Sequence, residues 1–206
     1  MGFYNDKIVP RLVTCACGTK PILKQREKVV PLAAGRVLEI GVGAGHNLPY
    51  YDATRVDSIL GIDPCATSWT LAQSRADQLG VPLEFLEGSA EDMPLPDEAF
   101  DTVLMTFSLC TIPDGQAALS EIRRVLRPGG QLVFCEHGEA PDDSVARWQA
   151  RVNPLWSRLL GGCNLNRPIV NWISSAGFSI DSLDQMYLPG TPRIAGFNVW
   201  GCAQCG

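Results

Sequence analysis

Three glycines, Gly41, Gly43 and Gly45, follow the apolar run Val37–Ile40 in the stretch VLEIGVGAGHNLPYY, residues 37–51. A short strand running into a glycine loop is a nucleotide cradle, because glycine turns tightly and lets the backbone approach a ligand. Two neighbouring residues indicate which nucleotide. A pyrophosphate-binding G-x-G-x-x-G loop needs its third glycine where His46 stands. Glu39, two positions before Gly41, would repel a pyrophosphate and suits a cation. The pattern E-x-G-x-G-x-G therefore favours a nucleoside with a sulfonium, an ammonium and no phosphate: S-adenosyl-L-methionine, whose spent form is S-adenosyl-L-homocysteine.

The second candidate is Asp63, followed by Pro64, at the end of the apolar run Ser58–Ile62. A carboxylate there bonds ribose hydroxyls in nucleotide-binding sheets; the competing reading is a cap for the next helix. Asn47 is placed at the cofactor loop, as a cap for the helix after it. The chain has two histidines. His46 sits in the glycine loop, beside the methionine moiety of the cofactor. His137 comes after the apolar run Gln131–Cys135, next to Glu136. It is the candidate to accept a proton or orient a nucleophile, with a backbone-bonded supporting role as the alternative. No lysine occurs after Lys28, which removes a lysine base from most of the chain. A small thiol needs little help, since with a pKa near about 8.5 a few per cent is thiolate at neutral pH.

The elements that must hold these residues alternate. Strands are expected at 36–40, 58–62, 83–86, 100–107 and 131–135, with helices at 67–79, 116–126, 144–160 and 167–176 and a closing antiparallel pair at 178–183 and 196–202. Repeated βα units imply a mostly parallel sheet with right-handed crossovers. Residues 3–30 read as two helical pieces broken at Cys17-Gly18, giving one domain over 1–206: an N-terminal helical cap, 1–34, and a Rossmann-like core, 35–206. Hydrophobic content of 46% and charged content of 19% over 206 residues fit a globular protein. No apolar run reaches bilayer-spanning length, and the start lacks a signal-peptide core, so a cytoplasmic protein is the expectation.

A net charge of −5 disfavours nucleic-acid binding. The charge is uneven: six basic residues against two acidic ones give the first 28 residues +4, leaving −9 for the remainder. That basic segment is either a solvated helix face or a weak peripheral contact with an anionic membrane. Eight cysteines without a secretory signal read as reduced thiols. Cys15 and Cys17 with Cys202 and Cys205 could instead make a four-thiolate zinc site if the ends meet. No metal is expected otherwise, although Cys110, Cys135 and Cys163 could converge on one pocket. Oligomeric state is not legible.

Four segments in order, VLEIGVGAG, GIDP, GSAEDMPLPDEAFD and RRVLRPGG, resemble those of class I S-adenosylmethionine-dependent methyltransferases of the methyltransferase type 11 group. The resemblance implies a seven-stranded sheet of order 3-2-1-4-5-7-6 with helices on both faces. It also assigns Ser89, Ala90 and Glu91 to the adenine, with Ser89 where an aspartate is usual, and Thr106 and Phe107 to the cofactor. TFSLCTIP, FCEHGEAP, Trp148, Pro154, Trp156 and GCNLNR are similar to the methyltransferase-like proteins that S-methylate small alkyl thiols and hydrogen sulfide. Those carry a hydrophobic N-terminal anchor that is not seen here. This similarity implies a small-molecule methyl acceptor. It groups Leu109, Trp148, Trp156, Asn164 and Arg167 around the acceptor pocket, with core packing as the plain alternative for the tryptophans. A phospholipid-headgroup or quinone-precursor methyltransferase, and a non-catalytic S-adenosylmethionine-binding module, are the competing functions. A nicotinamide oxidoreductase is disfavoured by Glu39 and the missing third glycine.

Overall fold

The structure, a computed structural model, describes residues 17–76 and 79–205. The first expected helical piece of the cap and Cys15 lie outside the described residues. The second piece is helix α1 (Lys20–Val29), which has proline in its first turn, where a missing N–H costs nothing. A 3-10 turn over Val30–Leu32 leads into strand β1 (Gly35–Ile40). Next are β2 (Val56–Asp63), α2 (Ala66–Ala76), β3 (Leu83–Glu87) and β4 (Phe100–Thr106). Then come α3 (Gly115–Val125), β5 (Leu126–His137), α4 (Asp143–Leu159) and α5 (Ile169–Ser175). The last elements are β6 (Phe178–Tyr187), a short α6 (Arg193–Gly196) and β7 (Phe197–Cys205).

The strands form one sheet of order β3-β2-β1-β4-β5-β7-β6. β1 to β5 pair in parallel, and β7 lies antiparallel between β5 and β6. This is the expected topology. The carboxyl ends of β1 to β5, which end at Ile40, Asp63, Glu87, Thr106 and His137, therefore share one edge. The order reverses between β1 and β4, and the loops that leave that edge diverge there. That divergence opens the crevice in which such sheets bind ligands.

Side-chain alternation along the strands sorts the core onto two faces. On one face Leu38, Ile40, Val103, Met105, Leu132 and Phe134 pack against Leu119, Ile122 and Val125 of α3 and Ile169 and Ile173 of α5. On the other, Val37, Ile59, Leu104, Val133 and Cys135 pack with Val29 of α1 and Ala72 of α2. Because both faces are covered, β4 is buried almost along its length, which explains the apolar run Val103-Leu104-Met105 at its centre. Asp114 caps α3 through its carboxylate, which accepts from the Gln116 and Ala117 N–H groups.

Several boundaries differ from those expected of the sequence. Arg127-Pro128-Gly129-Gly130 belongs to β5, whose pairing with β4 is irregular between Phe100 and Thr102, rather than forming a turn between elements. The last two strands run to Tyr187 and Cys205, longer than their apolar patches, because mutual hydrogen bonding extends the hairpin beyond what burial requires. Pro154 lies inside an α4 that continues to Leu159. Among the described residues no helix is long and apolar enough to cross a membrane.

Candidate active site

A cavity of about 320 Å³ opens at the carboxyl edge. Gly41 and Gly43 of the glycine loop, Asp63, Pro64 and Cys65 after β2, Ser89, Ala90 and Glu91 after β3, and Thr106, Phe107 and Ser108 after β4 line it. Its far side consists of Thr111, Ile112, Pro113 and Gly161, with Cys17 and Arg26 closing over from the cap. Gly41 has φ +71°, and a Cβ there would run into Ser108 Oγ, so the loop tolerates only glycine at this point. Asp63 locks the loop to β2: one carboxylate oxygen accepts from Gly43 N–H (3.0 Å) and the other from Cys65 N–H (2.8 Å). Ser89 Oγ donates to Glu91 Oε2 (2.7 Å), and Glu91 Oε1 accepts from Asp114 N–H (2.6 Å). Phe107 has φ +54° while its N–H bonds Cys135 O (2.8 Å). A non-glycine residue in that region stores about 1–3 kcal/mol of strain, a recurrent mark of a working site.

Behind the loop lies a buried polar network. Arg26 Nη1 donates to Asn47 Oδ1 and Thr106 Oγ1, both at 2.6 Å, and the guanidinium sits 5.1 Å over the Phe107 ring. Asn47 Nδ2 donates to Glu39 Oε1 (2.9 Å), and Tyr51 Oη donates to Glu39 Oε2 (2.7 Å). Arg26 is part of the cavity lining, while its Nε is buried and makes no hydrogen bond among the described residues. Burial pushes the Glu39 carboxyl up from 4.5 to about 7, against the opposing pull of Tyr51, Asn47 and Arg26.

The residues singled out from the sequence divide accordingly. The Gly41, Gly43, Asp63, Pro64, Ser89, Ala90, Glu91, Thr106 and Phe107 positions all meet at the cavity. Gly45 does not; a Cβ there would meet Leu48 and Ala72, so it sets how closely the loop approaches α2. Glu39 and Asn47 lie one layer behind the cavity wall, and Asn47 makes no helix-capping bond. Trp148 is 56% exposed on α4 and stacks on Arg151, so it roofs nothing here. Leu109 is fully buried in the core. Asn164 and Arg167 fasten the loop after α4 to the loop after β4: Asn164 Nδ2 donates to Cys110 O (3.1 Å), and Arg167 Nη1 donates to the Leu109 and Ile112 carbonyls. Trp156 is partly buried, and its indole N–H has no partner among the described residues. Arg26 and Cys17 were not anticipated. Their distance in sequence from every motif hid them, and only the placement of the cap beside the glycine loop reveals them.

On the far side of the cavity, Cys110, His137 and Cys163 cluster, with their ligand atoms within 4.8 Å of one another. Cys163 Sγ is 3.3 Å from His137 Nε2, which also lies 3.0 Å from Asn164 O. Burial alone would lower the His137 pKa, but Cys163, Glu136 and the Asn164 carbonyl outweigh it and raise it. The hydrogen bond with Cys110, together with burial, holds Cys163 well above an ordinary thiol. Cys135 does not join it; it packs among Val37, Leu104 and Val133 under α1. Nor do the described terminal cysteines form a ligand group: Cys17 stands at the carboxyl edge, whereas Cys202 pairs with Val133, four residues back from that edge along β5.

Comparison with known proteins accords with this geometry. Residues 38–134 match a family model described as a methyltransferase domain. The chain is 34% identical over 174 residues to thiol S-methyltransferase TMT1B of Homo sapiens, covering 80% of this chain and 71% of that protein. The chain is a class I S-adenosylmethionine-dependent methyltransferase. This methyltransferase is also 32% identical over 167 residues (81% and 60% covered) to phthiotriol/phenolphthiotriol dimycocerosates methyltransferase 1 of Mycobacterium ulcerans. It is 38% identical over 105 residues to phosphatidylethanolamine N-methyltransferase of Cereibacter sphaeroides, covering 50% of this chain and 51% of that one. Among solved structures, a methyltransferase from Bacillus halodurans superposes with TM-score 0.73 at 18% identity, covering 88% and 97%. A geranyl diphosphate methyltransferase bound to S-adenosylmethionine gives 0.70 at 13% identity, covering 89% and 84%. These two show the shared fold.

The site fits the methyltransferase cofactor on its own evidence: a glycine cradle in which a Cβ at Gly41 would run into Ser108 Oγ, and a buried guanidinium, Arg26, in the lining of the same cavity, with its Nε unpartnered among the described residues. The buried Glu39 leads to a measurable consequence. An acid raised from 4.5 to about 7 binds more protons in the folded than in the unfolded state between those limits. Its contribution is therefore intact below pH 4.5 and is lost as pH rises to about 7, by roughly 3 kcal/mol in all. Thermal melts of wild type and Glu39→Gln across this range should show the wild type losing stability relative to the variant; parallel curves would mean that Glu39 is ionised throughout.

Proposed function

We propose that this methyltransferase transfers a methyl group to the sulfur of a small thiol or sulfide. The observation that carries the reading is the acceptor end of the cavity. Beyond Phe107 it is bounded, among the described residues, by Cys17, Thr111, Ile112, Pro113 and Gly161, a small and mostly apolar surface to which those residues bring no carboxylate or lysine to act as a strong base. An amine or hydroxyl acceptor must be deprotonated by such a base, whereas a thiol ionises near neutrality unaided. The 34% identity to a thiol S-methyltransferase supports the same choice.

When bound, S-adenosylmethionine supplies an electrophilic methyl group. The residues of the chain then divide the remaining work. Arg26, in the cavity lining, offers its positive charge to the carboxylate of the cofactor, and Asp63 keeps oxygen lone pairs for the ribose hydroxyls. The Ser89–Glu91 backbone edges the adenine. Phe107, held in its strained turn under Arg26, walls the methyl-transfer line and excludes water from it. Such orientation of donor and acceptor is worth several kcal/mol, and no covalent catalysis is needed. His137 orients the acceptor sulfur, and its raised pKa favours a cationic ring that stabilises a thiolate.

A second reading, methylation of a lipid, has a specific basis in the mycobacterial dimycocerosate and phosphatidylethanolamine relatives. One assay separates the two: transfer of label from S-adenosylmethionine to hydrogen sulfide, small alkyl thiols, phosphatidylethanolamine and a quinol. Label in a volatile thioether is expected; label confined to lipid or quinol would replace the thiol reading. Within the thiol reaction, His137→Gln should shift the rising limb of the kcat/KM profile to higher pH. An unchanged profile over about pH 6 to 9 would remove His137 from the reaction.

A further inference from the structure

The steps above use His137 but leave Cys110 and Cys163 idle, although the three side chains cluster from separate elements. Cys110 lies in the loop after β4, His137 ends β5, and Cys163 lies in the loop after α4. Two features hold them together. Asn164, adjacent to Cys163, bonds Cys110 O through both its backbone N–H (2.9 Å) and its side chain (3.1 Å). Glu136, adjacent to His137, is fully buried and accepts from the N–H groups of Ser108 (2.8 Å), Leu109 (3.0 Å) and Cys110 (3.4 Å). The neighbours of the cluster thus fasten each ligand-bearing loop to the next. Burying the Glu136 carboxylate costs free energy that a mere loop clasp would not require.

We infer that Cys110, His137 and Cys163 form a binding site for a thiophilic divalent cation, zinc by ligand type, with its fourth position open to the acceptor thiol. The spacing suits it. A tetrahedral centre with Zn–S of about 2.3 Å and Zn–N of about 2.0 Å sets its ligand atoms about 3.5–3.8 Å apart. The observed 3.3 Å between Cys163 Sγ and His137 Nε2, and the 4.8 Å limit on the whole set, bracket that range. Two thiolates and one imidazole with one position free is a donor set of catalytic rather than structural zinc sites. Loading the site displaces both thiol protons and the proton at Nε2, so the Nε2 contact with Asn164 O is exchanged for the metal bond.

The site adjoins the acceptor end of the cavity. Cys110 Sγ is 3.5 Å from Thr111 Oγ1, and Thr111, with Gly161, lines the cavity. An acceptor thiol entering the fourth position loses its S–H proton to solvent and forms a sulfur–metal bond. Its sulfur remains an electron-rich nucleophile at neutral pH, and the bound metal takes the place of the protonated His137 ring in stabilising the thiolate. This extends the thiol reading and rests on it, while the metal site itself can be tested without any methyl transfer.

Cobalt(II) titrated into the purified full chain reports on it directly. The expected result is one equivalent bound, with intense visible bands of a tetrahedral centre and a near-ultraviolet thiolate-to-cobalt charge-transfer band. Cys110→Ser and Cys163→Ser should each lose cobalt affinity at least tenfold, and Cys202→Ser should not. Adding ethanethiol should shift the visible bands as sulfur enters the fourth position. Absence of the bands in the wild type, full retention of them in Cys163→Ser, or indifference to ethanethiol would each overturn the inference. Binding of S-adenosylhomocysteine by each variant checks that it is folded, and the wild-type titrations decide the matter even if a variant is not. A failed cobalt titration alongside thioether formation in the label-transfer assay would overturn the metal site and leave the thiol reading standing.

Discussion

A guanidinium placed out of water must have its hydrogen-bond donors met and its charge answered, and Arg26 imposes that condition on everything around it. It is only 5% exposed. It comes from α1, yet its partners are Asn47 after the glycine loop and Thr106 at the end of β4, and through Asn47 it reaches Glu39 in β1. One cation thus ties the cap to the two strands that flank the switch point of the sheet. Glu39 answers the charge only in part, because burial resists its ionisation. Arg26 itself lines the cavity, so the charge left unanswered bears on that space. The cofactor site is in this sense the unfinished portion of a buried ion network, and an anionic group in the cavity completes it.

The other conditions derive from that one. The glycine loop must stay thin because Ser108 stands immediately behind Gly41. Phe107 must adopt a left-handed turn because Arg26 occupies one face of its ring while its N–H is held by Cys135 O. That turn ends β4 abruptly and sends Ser108, Leu109 and Cys110 down onto Glu136. The acceptor side is consequently built on a second buried carboxylate, one strand further along. The two glutamates play matched roles: each lies beneath a loop at the carboxyl edge and accepts the donors that would otherwise be stranded there.

Where a residue's function is expressed through its local backbone, the sequence was a sufficient guide. The glycine loop, Asp63 and Ser89–Glu91 each sit at a strand end, and strand ends are legible from apolar runs and punctuation. The sheet order, by contrast, came with the family resemblance. What escaped was set by long-range contact. Nothing in LKQREKVV distinguishes Arg26 from its basic neighbours, because only the docking of α1 makes it buried. The family similarity grouped Trp148 with the acceptor pocket, but α4 turns that face outward, and Leu109, two residues past the strained turn at Phe107, is buried in the core. Cys135 and Cys163 were equivalent as sequence; strand alternation sends the first to the opposite face. Asn164 and Arg167, expected around the acceptor pocket, stand in the structure as the clasp between two loops.

Arg26 is the bridge between cap and cofactor on which the rest depends. Isothermal titration of S-adenosylhomocysteine into wild type and Arg26→Gln tests that role most directly, with thermal melts to confirm that the variant is folded. Loss of a charge-assisted contact to the carboxylate, together with loosening of Asn47 and Phe107, predicts at least a tenfold weaker Kd, about 1.4 kcal/mol or more. A folded Arg26→Gln variant that binds as tightly as wild type would contradict it.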